Sequence, residues 1–192
     1  MEEWISHGFR LAWICLAAYW VWSARKRKRT QRTEPKLLQL ALYWTPLIIA
    51  GLLLGPGEWF SGSWLRERFV PHGLWVKGIG LALTVAGVAI ACWARHILGR
   101  NWSSVVQIKQ DHELIEAGPY RHVRHPIYTG LLLAILGTAF GAGDWRGLLA
   151  LLIVFVSFWN KYRHEERFLS EQFGQKYLDY MQRTKALIPG VF

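Results

Sequence analysis

Apolar and charged residues alternate in long blocks along this chain. Apolar runs occupy about residues 7–22, 37–54, 74–98, 126–142 and 147–159, and charge is nearly absent inside them. Runs of about 17 to 25 apolar residues are long enough to cross a membrane as helices. The pattern therefore predicts an all-α integral membrane protein with about five transmembrane helices.

The residues within and between these runs refine the predicted helices. Pro46 lies inside the second run and predicts a kink, because a neighbouring helix can satisfy the carbonyl group that proline leaves free. Residues 58–72 interleave Trp and Phe with charge, which is typical of an amphipathic connector at a membrane surface. Apolar residues from Leu169 to Tyr180 recur near helical spacing and predict an amphipathic cytoplasmic C-terminal helix, interrupted at Gly174.

These elements divide the chain into two parts. Residues 1–73 form an N-terminal two-span region with the outer connector, and residues 74–192 form a three-span core with a cytoplasmic loop and the C-terminal helix. Small residues spaced by three or four mark the first two helices of the core: Gly80, Thr84, Gly87 and Ala91, then Gly130, Ala134, Gly137 and Gly141. Such spacing lets helices approach closely in lipid, so we expect a close-packing face on each of these two helices.

The positive charge follows the same alternation. The formal net charge is +10, and most of the 23 Lys and Arg residues follow the first, third and fifth apolar runs. Because positive residues mark cytoplasmic loops, the N-terminus is predicted outside and the C-terminus inside, and no nucleic-acid partner is needed to explain the charge. Cys15 and Cys92 lie inside apolar runs and are interpreted as packing residues. No small-residue cleavage site follows the first run, so we expect it to be retained.

The candidate chemistry centres on residues 116–130, which read EAGPYRHVRHPIYTG. Four charged or titratable residues there directly precede an apolar run: Arg121, His122, Arg124 and His125. Gly118 predicts a turn and Pro126 presets a helix start, so the four residues are expected on a loop that leads into a helix. A helix start beside two arginines favours a carboxylate or phosphate. The alternative for this stretch alone is a topology signal with interfacial anchors.

A second charged group is predicted at the same membrane face. Glu165 and Glu166 follow the last apolar run and, by topology, should meet the arginine-histidine loop. Charges of both signs beside an apolar interior favour a pocket for a zwitterionic molecule and an apolar one. Asn101, Trp102, Ser103 and His112 are further candidates for lining it. Metal binding by His122 and His125 is a weaker interpretation, since no second ligand cluster matches, and no Rossmann or phosphate-loop fingerprint occurs.

Six segments of the chain carry a family resemblance. They are LGRNWS at 98–103, HEL at 112–114, GPYRHVRHPIYTG at 118–130, EERFL at 165–169, FGQKYLDY at 173–180 and Ile188-Pro189. In order and spacing they resemble the isoprenylcysteine carboxyl methyltransferase family and its bacterial, phospholipid methyltransferase-like relatives. The resemblance covers roughly the C-terminal half, and it makes the bacterial inner membrane the expected location.

The resemblance implies a membrane methyltransferase that uses S-adenosylmethionine without a Rossmann fold. Its motifs carry the cofactor-binding role onto eight residues: Tyr120, Arg124, His125, Pro126, Tyr128, Gly130, Glu165 and Glu166. Of these, Arg124, His125 and Glu166 are the candidate catalytic residues. We expect Arg124 to hold the cofactor carboxylate, a glutamate to hold its amino group or ribose, and Tyr128 with His125 to fix the adenosine side.

The methyl acceptor stays open at the level of sequence. A sulfonium donor is already activated, so catalysis needs alignment and exclusion of water more than an acid-base relay. A carboxylate acceptor needs no base, whereas a thiol, phenol or amine would pass a proton to His125 or a glutamate. The expected partners are a lipophilic or small-molecule acceptor, a phospholipid among the alternatives, and membrane lipids. A non-enzymatic module that binds anionic lipid headgroups is the alternative from a different class.

Overall fold

The computed structural model describes residues 2–25, 30–33, 35–102, 107–109 and 113–191. Seven α-helices carry most of this part of the chain: α1 (Glu2–Ser23), α2 (Lys36–Gln39), α3 (Thr45–Leu53), α4 (Leu74–Leu98), α5 (Pro126–Ala142), α6 (Trp145–Phe173) and α7 (Gln175–Arg183). The predicted helical fold is confirmed. The structure adds a short antiparallel pair of strands, β1 (Thr30–Thr33) and β2 (Gln107–Lys109), which departs from the all-α expectation.

The helices match the predicted apolar runs unevenly. Helix α5 has the predicted bounds, because Pro126 begins it and Gly143, with a left-handed φ of 73°, ends it. By length and composition, α4 is the one helix of the described residues that could cross a membrane, and the apolar helices Leu37–Leu53 and Pro126–Ala142 are shorter. The fifth run forms only the first half of α6, which continues without a break to Phe173. The count of five spans therefore stays a prediction.

The small-residue faces predicted on the third and fourth runs pack against each other in the structure. A Cβ atom added at Gly87 would lie 2.4 Å from the backbone of Gly130 and Ala134, and one at Gly137 would lie 2.5 Å from the backbone of Gly80 and Thr84. Backbones at this distance leave no room for larger side chains. Helices α4 and α5 thus form the tightest contact of the fold, with α1 packed on α4, and α6 packed between α5 and α3.

The helix is irregular close to Pro46, where the sequence predicts a kink. Residues Leu40–Trp44 form a π-helical segment between α2 and α3, which ends two residues before the proline. Proline at position 46 cannot donate to the carbonyl of Leu42, four residues earlier. The Ser157 hydroxyl of α6 donates to that carbonyl oxygen at 2.7 Å, so the neighbouring helix satisfies the freed group.

The connector between α3 and α4 docks on the turn between α5 and α6. It contains two 3₁₀ turns, Gly57–Phe60 and Trp64–Arg66, and its Trp59 and Trp64 side chains are exposed. Beneath it, the buried Arg146 donates from Nε and Nη2 to one oxygen of the buried Asp144, at 2.9 and 2.7 Å.

Candidate functional site

The loop before α5 is held against the C-terminal tail. The backbone N–H of Arg124 donates to the carbonyl of Lys185 at 2.8 Å, and that of His125 donates to Ala186 at 3.0 Å. Thr129, one turn into α5, donates from its hydroxyl to the carbonyl of Leu187 at 2.6 Å. The tail therefore fixes the positions from which the Arg124 and His125 side chains extend.

Arg124 and Glu166 form a nearly buried ion pair. Arg124 Nε donates to Glu166 Oε1 at 2.7 Å, and the two side chains are 10% and 12% exposed. Arg124 Nη1 also donates to the carbonyls of Met181 and Thr184, at the end of α7. The guanidinium thereby joins three elements: the loop before α5, the cytoplasmic half of α6 and the end of α7.

Two opposing effects set the pKa of the Glu166 carboxyl. Burial raises it, because a carboxylate loses hydration, but the hydrogen bond and charge of His125 and then those of Arg124 lower it by more. The net pKa is below the ordinary glutamate value, so Glu166 is ionised at neutral pH. A negative charge therefore lies beside Arg124 at neutral pH.

His125 lies between the two glutamates and against aromatic rings. Its Nε2 is 3.2 Å from Glu166 Oε1, and its Nδ1 is 3.6 Å from Glu165 Oε2. The Tyr128 hydroxyl donates to Glu165 Oε1 at 2.7 Å, and the His125 and Tyr128 rings stack with centroids 5.5 Å apart. The structure thus brings together five of the eight predicted site residues.

The other three predicted residues, Tyr120, Pro126 and Gly130, lie outside this cluster. The buried Tyr120 donates from its hydroxyl to the Ala94 carbonyl of α4 at 3.4 Å. Pro126 is buried in the first turn of α5. Gly130 faces α4, where an added Cβ would lie 2.6 Å from the nitrogen of Ala91. Their observed contacts position the loop and α5, and a direct cofactor contact stays a prediction for all three.

A neighbouring group was missed by sequence analysis. The Tyr43 hydroxyl, from the π-helical segment, lies 3.3 Å from His164 Nδ1. The buried Lys161 ammonium lies 5.2 Å from the Tyr43 ring centroid and 5.4 Å from that of Tyr128, within cation–π range. The sequence does contain a sign that Lys161 lies near the cluster, because Lys161 precedes Glu165 by four residues, which is one helical turn. Nothing local in the sequence pairs Tyr43 with α6.

The predicted pocket residues of the cytoplasmic loop divide into two groups. Trp102 and Asn101 are buried, and the Arg95 guanidinium lies 4.3 Å from the Trp102 ring centroid. Arg95 also donates to the carbonyl of Ser23 at 2.8 Å, which ties α4 to α1. Ser103 and His112 lie outside the described residues.

A polar cleft of about 700 Å³ adjoins the ion pair. It runs along the cytoplasmic half of α6 and reaches α7, and eight residues line it: Asn160, Arg163, His164, Glu166, Arg167, Ser170, Glu171 and Met181. Within the described residues, the second terminal nitrogen of Arg124 (Nη2) and the second oxygen of Glu166 (Oε2) make no hydrogen bond. A positively charged donor, Arg124 Nη2, and a negatively charged acceptor, Glu166 Oε2, therefore lie beside a cleft large enough for a small molecule.

Comparison with known proteins finds methyltransferases. The family model described as phospholipid methyltransferase matches residues 75–176. Two relatives from Arabidopsis thaliana are the protein-S-isoprenylcysteine O-methyltransferases B and A. The chain is 28% identical to B over 61% of both chains, and 31% identical to A over 67% of this chain and 69% of that one.

A solved structure shares the fold. It is the eukaryotic intramembrane Ras methyltransferase, an isoprenylcysteine carboxyl methyltransferase, with a TM-score of 0.59 and 24% identity. The similarity covers 79% of this chain and 53% of that one. The chain thus spans about half of the solved protein and about three fifths of the first relative.

Proposed function

Because this chain belongs to the phospholipid methyltransferase family, we propose that it is an integral membrane enzyme that transfers the methyl group of S-adenosylmethionine to a lipophilic or small acceptor. The observation that carries the proposal is the Arg124–Glu166 pair beside the α6–α7 cleft. Relatives named as isoprenylcysteine O-methyltransferases support the reaction class.

The residues of the cluster fit the cofactor. Its amino-acid end carries a carboxylate and an ammonium group, which match the donor Nη2 of Arg124 and the acceptor Oε2 of Glu166. The rings of His125 and Tyr128 are stacked on each other and buried, so they support the site from within the protein. The partly exposed Glu165 offers an acceptor for ribose hydroxyls. These five residues would hold the cofactor, as the motif resemblance also implies.

The roles in catalysis follow from the chemistry of the donor. When bound, S-adenosylmethionine supplies a methyl group already activated by its positive sulfur. The residues of this chain then need to orient donor and acceptor in line and exclude water. The buried Arg124–Glu166 pair provides fixed positions for this purpose, since its contacts with the loop, α6 and α7 restrict movement. Arg124, His125 and Glu166 are accordingly proposed as the catalytic set.

We favour a carboxylate as the methyl acceptor. The relatives are named for O-methylation of isoprenylcysteine, and a carboxylate attacks the methyl group without losing a proton. No general base is then required. A lipophilic acceptor would reach the cluster from the bilayer, because Tyr128 lies in the first turn of the apolar helix α5.

A phospholipid amine is the second candidate acceptor, since the matched family model is described by phospholipid methylation. An amine must lose a proton on methylation. His125 is the candidate base, because its ring lies beside both glutamates, with Glu166 at 3.2 Å and Glu165 at 3.6 Å from its nitrogens. Labelled methyl transfer to a prenylated cysteine carboxylate and to phosphatidylethanolamine distinguishes the two acceptors.

The proposed orientation follows the positive residues of the sequence. The N-terminus lies outside, and the cluster, the cleft and the C-terminus face the cytoplasm, where S-adenosylmethionine is available. Each half of the proposed division, 1–73 and 74–192, contributes to the site, since Tyr43 of the first half reaches His164 of the second.

Cofactor binding tests the proposal. Calorimetry on detergent-purified protein should give saturable S-adenosylmethionine binding, weakened about tenfold or more by Arg124→Ala and by Glu166→Ala, because each removes a charge-assisted hydrogen bond. Arg183→Ala is the matched control: Arg183 also forms an ion pair, 3.0 Å from Glu116, but its side chain is 65% exposed and does not line the cleft. Circular dichroism checks the folding of each variant.

Absence of binding by folded wild-type protein would contradict the enzyme proposal. Binding of anionic lipid vesicles that depends on Arg124, without cofactor binding, would instead support a headgroup-binding module. Equal weakening by all three substitutions would show a general effect of charge and would remove the specific roles of Arg124 and Glu166.

A further inference from the structure

The hydroxyl of Tyr177 is buried and makes no hydrogen bond within the described residues. Helix α6 ends at Gly174, whose φ is +54°, and α7 turns back so that Tyr177 and Tyr180 are both buried. The Tyr180 hydroxyl donates to the carbonyl of Tyr120 at 2.6 Å. The Tyr177 side chain is 1% exposed, and its hydroxyl has no hydrogen-bond partner within the described residues.

An unpaired buried hydroxyl costs free energy, because it gives up its hydrogen bonds to water without replacement. Burial also raises the pKa of the Tyr177 hydroxyl, so the group keeps its proton and remains a hydrogen-bond donor at neutral pH. Buried polar groups are nearly always paired in folded proteins. A donor kept in this condition is expected where a ligand supplies the acceptor.

The position of Tyr177 indicates which ligand would accept a hydrogen bond from its hydroxyl. Met181, one helical turn later on the same face of α7, accepts a hydrogen bond from Arg124 through its carbonyl and lines the cleft with Glu166. The charges of Glu166 and Arg124 both act on the pKa of Tyr177, so the hydroxyl lies in their electrostatic range. Arg124 Nη2 is a second donor without a partner in the described part of the chain.

We propose that the Tyr177 hydroxyl binds the carboxylate of the amino-acid end of S-adenosylmethionine, beside Arg124, and donates one hydrogen bond to it. The two donors suit the two oxygens of a carboxylate, while Glu166 accepts from the ammonium group. The inference rests on the proposed cofactor and extends its site from α5 and α6 to α7. Tyr177 is then a binding residue that also fixes the cofactor in line for transfer.

Tyr177→Phe isolates the hydroxyl, since it removes one oxygen and keeps the ring. The free protein should unfold at the same temperature or higher, because no protein hydrogen bond is lost. Its dissociation constant for S-adenosylmethionine should rise about tenfold or more. Tyr180→Phe is the matched control: it loses the bond to Tyr120, so its unfolding temperature should fall while its dissociation constant stays within about twofold of wild type.

A second ligand identifies the group that the hydroxyl binds. Decarboxylated S-adenosylmethionine lacks only the carboxylate, so wild type and Tyr177→Phe should bind it with equal affinity. Equal binding of S-adenosylmethionine by both proteins would overturn the inference and leave the proposed function intact. Equal weakening of both ligands by Tyr177→Phe would overturn the carboxylate assignment. No cofactor binding by wild type would overturn the proposed function and the inference together.

Discussion

At the scale of single residues, one carboxylate oxygen organises the site. Glu166 Oε1 is 2.7 Å from Arg124 Nε and 3.2 Å from His125 Nε2, whereas Oε2 is directed to no protein donor in the described residues. Removing a charge from water is costly, and only good geometry recovers that cost. The pair therefore fixes the positions of its two side chains more than it stabilises the fold, and Arg124 Nη2 and Glu166 Oε2 are the atoms with which we propose it binds the cofactor.

The lowered pKa of Glu166 predicts an acid dependence of stability. The folded-state pKa lies below the ordinary value of 4.5, so ionisation of Glu166 stabilises the fold fully above that value. The stabilisation is lost as the pH falls through the lowered folded-state pKa. Thermal unfolding from pH 7 to pH 3 should show Glu166→Gln less stable than wild type at neutral pH, with a difference that shrinks in acid.

The exposed Glu3 provides the control for this measurement. Glu3→Gln should follow the wild-type curve across the whole range, because it removes a carboxylate without affecting the cluster. A difference between wild type and Glu166→Gln that stays constant down to pH 3 would show that the effect of the substitution is steric and not electrostatic.

At the scale of elements, the α4–α5 contact supports the site. Gly87 and Gly130 lie opposite each other, and Gly130 is one turn after the site residues at the start of α5. Because glycine has no Cβ atom, the two helix backbones can approach closely. In lipid, the van der Waals packing between such backbones stabilises the helix pair. The orientation of α5, and with it of His125 and Tyr128, therefore depends on the close approach that these two glycines allow.

A larger side chain at Gly87 should disrupt this contact. Gly87→Val places carbon atoms against the backbone of Gly130 and Ala134, 2.4 Å from the added Cβ, so the helices must separate. Overpacking of this kind costs about 1–3 kcal/mol. Gly78→Val on the same helix is the control, because nothing lies within 4 Å of an added Cβ there.

Unfolding in detergent or bicelles measures both variants. Gly87→Val should lower the free energy of unfolding well below that of Gly78→Val, which carries the same intrinsic cost of valine in a helix. Equal stability of the two variants would show that the α4–α5 contact is looser than the structure indicates.

At the scale of the whole molecule, a second buried ion pair closes the end opposite the site. Helix α5 spans about 25 Å from Pro126 to Ala142, and the Asp144–Arg146 pair follows its far end. Arg146 Nη1 also donates to the carbonyls of Leu53 and Gly55, at 3.2 Å each. The pair thereby ties the end of α3 to the α5–α6 turn and holds the N-terminal half on the core.

Neutralising Asp144 should destabilise the molecule without changing the site. Asp144→Asn leaves the Arg146 guanidinium buried without a countercharge, and breaking a buried pair costs about 3–5 kcal/mol. Arg66→Gln is the matched control: Arg66 is 3.5 Å from the same Asp144 oxygen but half exposed, so its loss should cost about 1 kcal/mol or less. Cofactor affinity of the folded fraction should be unchanged in both, and a loss of affinity in Asp144→Asn would show coupling between the two ends.

Much of the architecture was predictable because its signals are local. Pro126 and Gly143 delimit α5, small residues at helical spacing mark the α4–α5 contact, and Gly174 marks the break before α7. Each signal acts through the backbone of a few neighbouring residues, which a sequence displays directly. The meeting of the arginine-histidine loop with the two glutamates was also predictable, since the order of apolar and charged runs places both at one face.

Other features required the tertiary structure. Sequence by itself determined which segments are helical, where α5 begins and which charged residues share a face, because these follow from local backbone preferences and charge order. Only the packing of helices decided that Tyr43 reaches His164, that Arg146 and Asp144 are buried together, and that Tyr177 lacks an acceptor while Tyr180 has one. Whether two residues distant in the chain form a hydrogen bond depends on how each helix is rotated and shifted along its axis. Contacts among many side chains together set that rotation and shift.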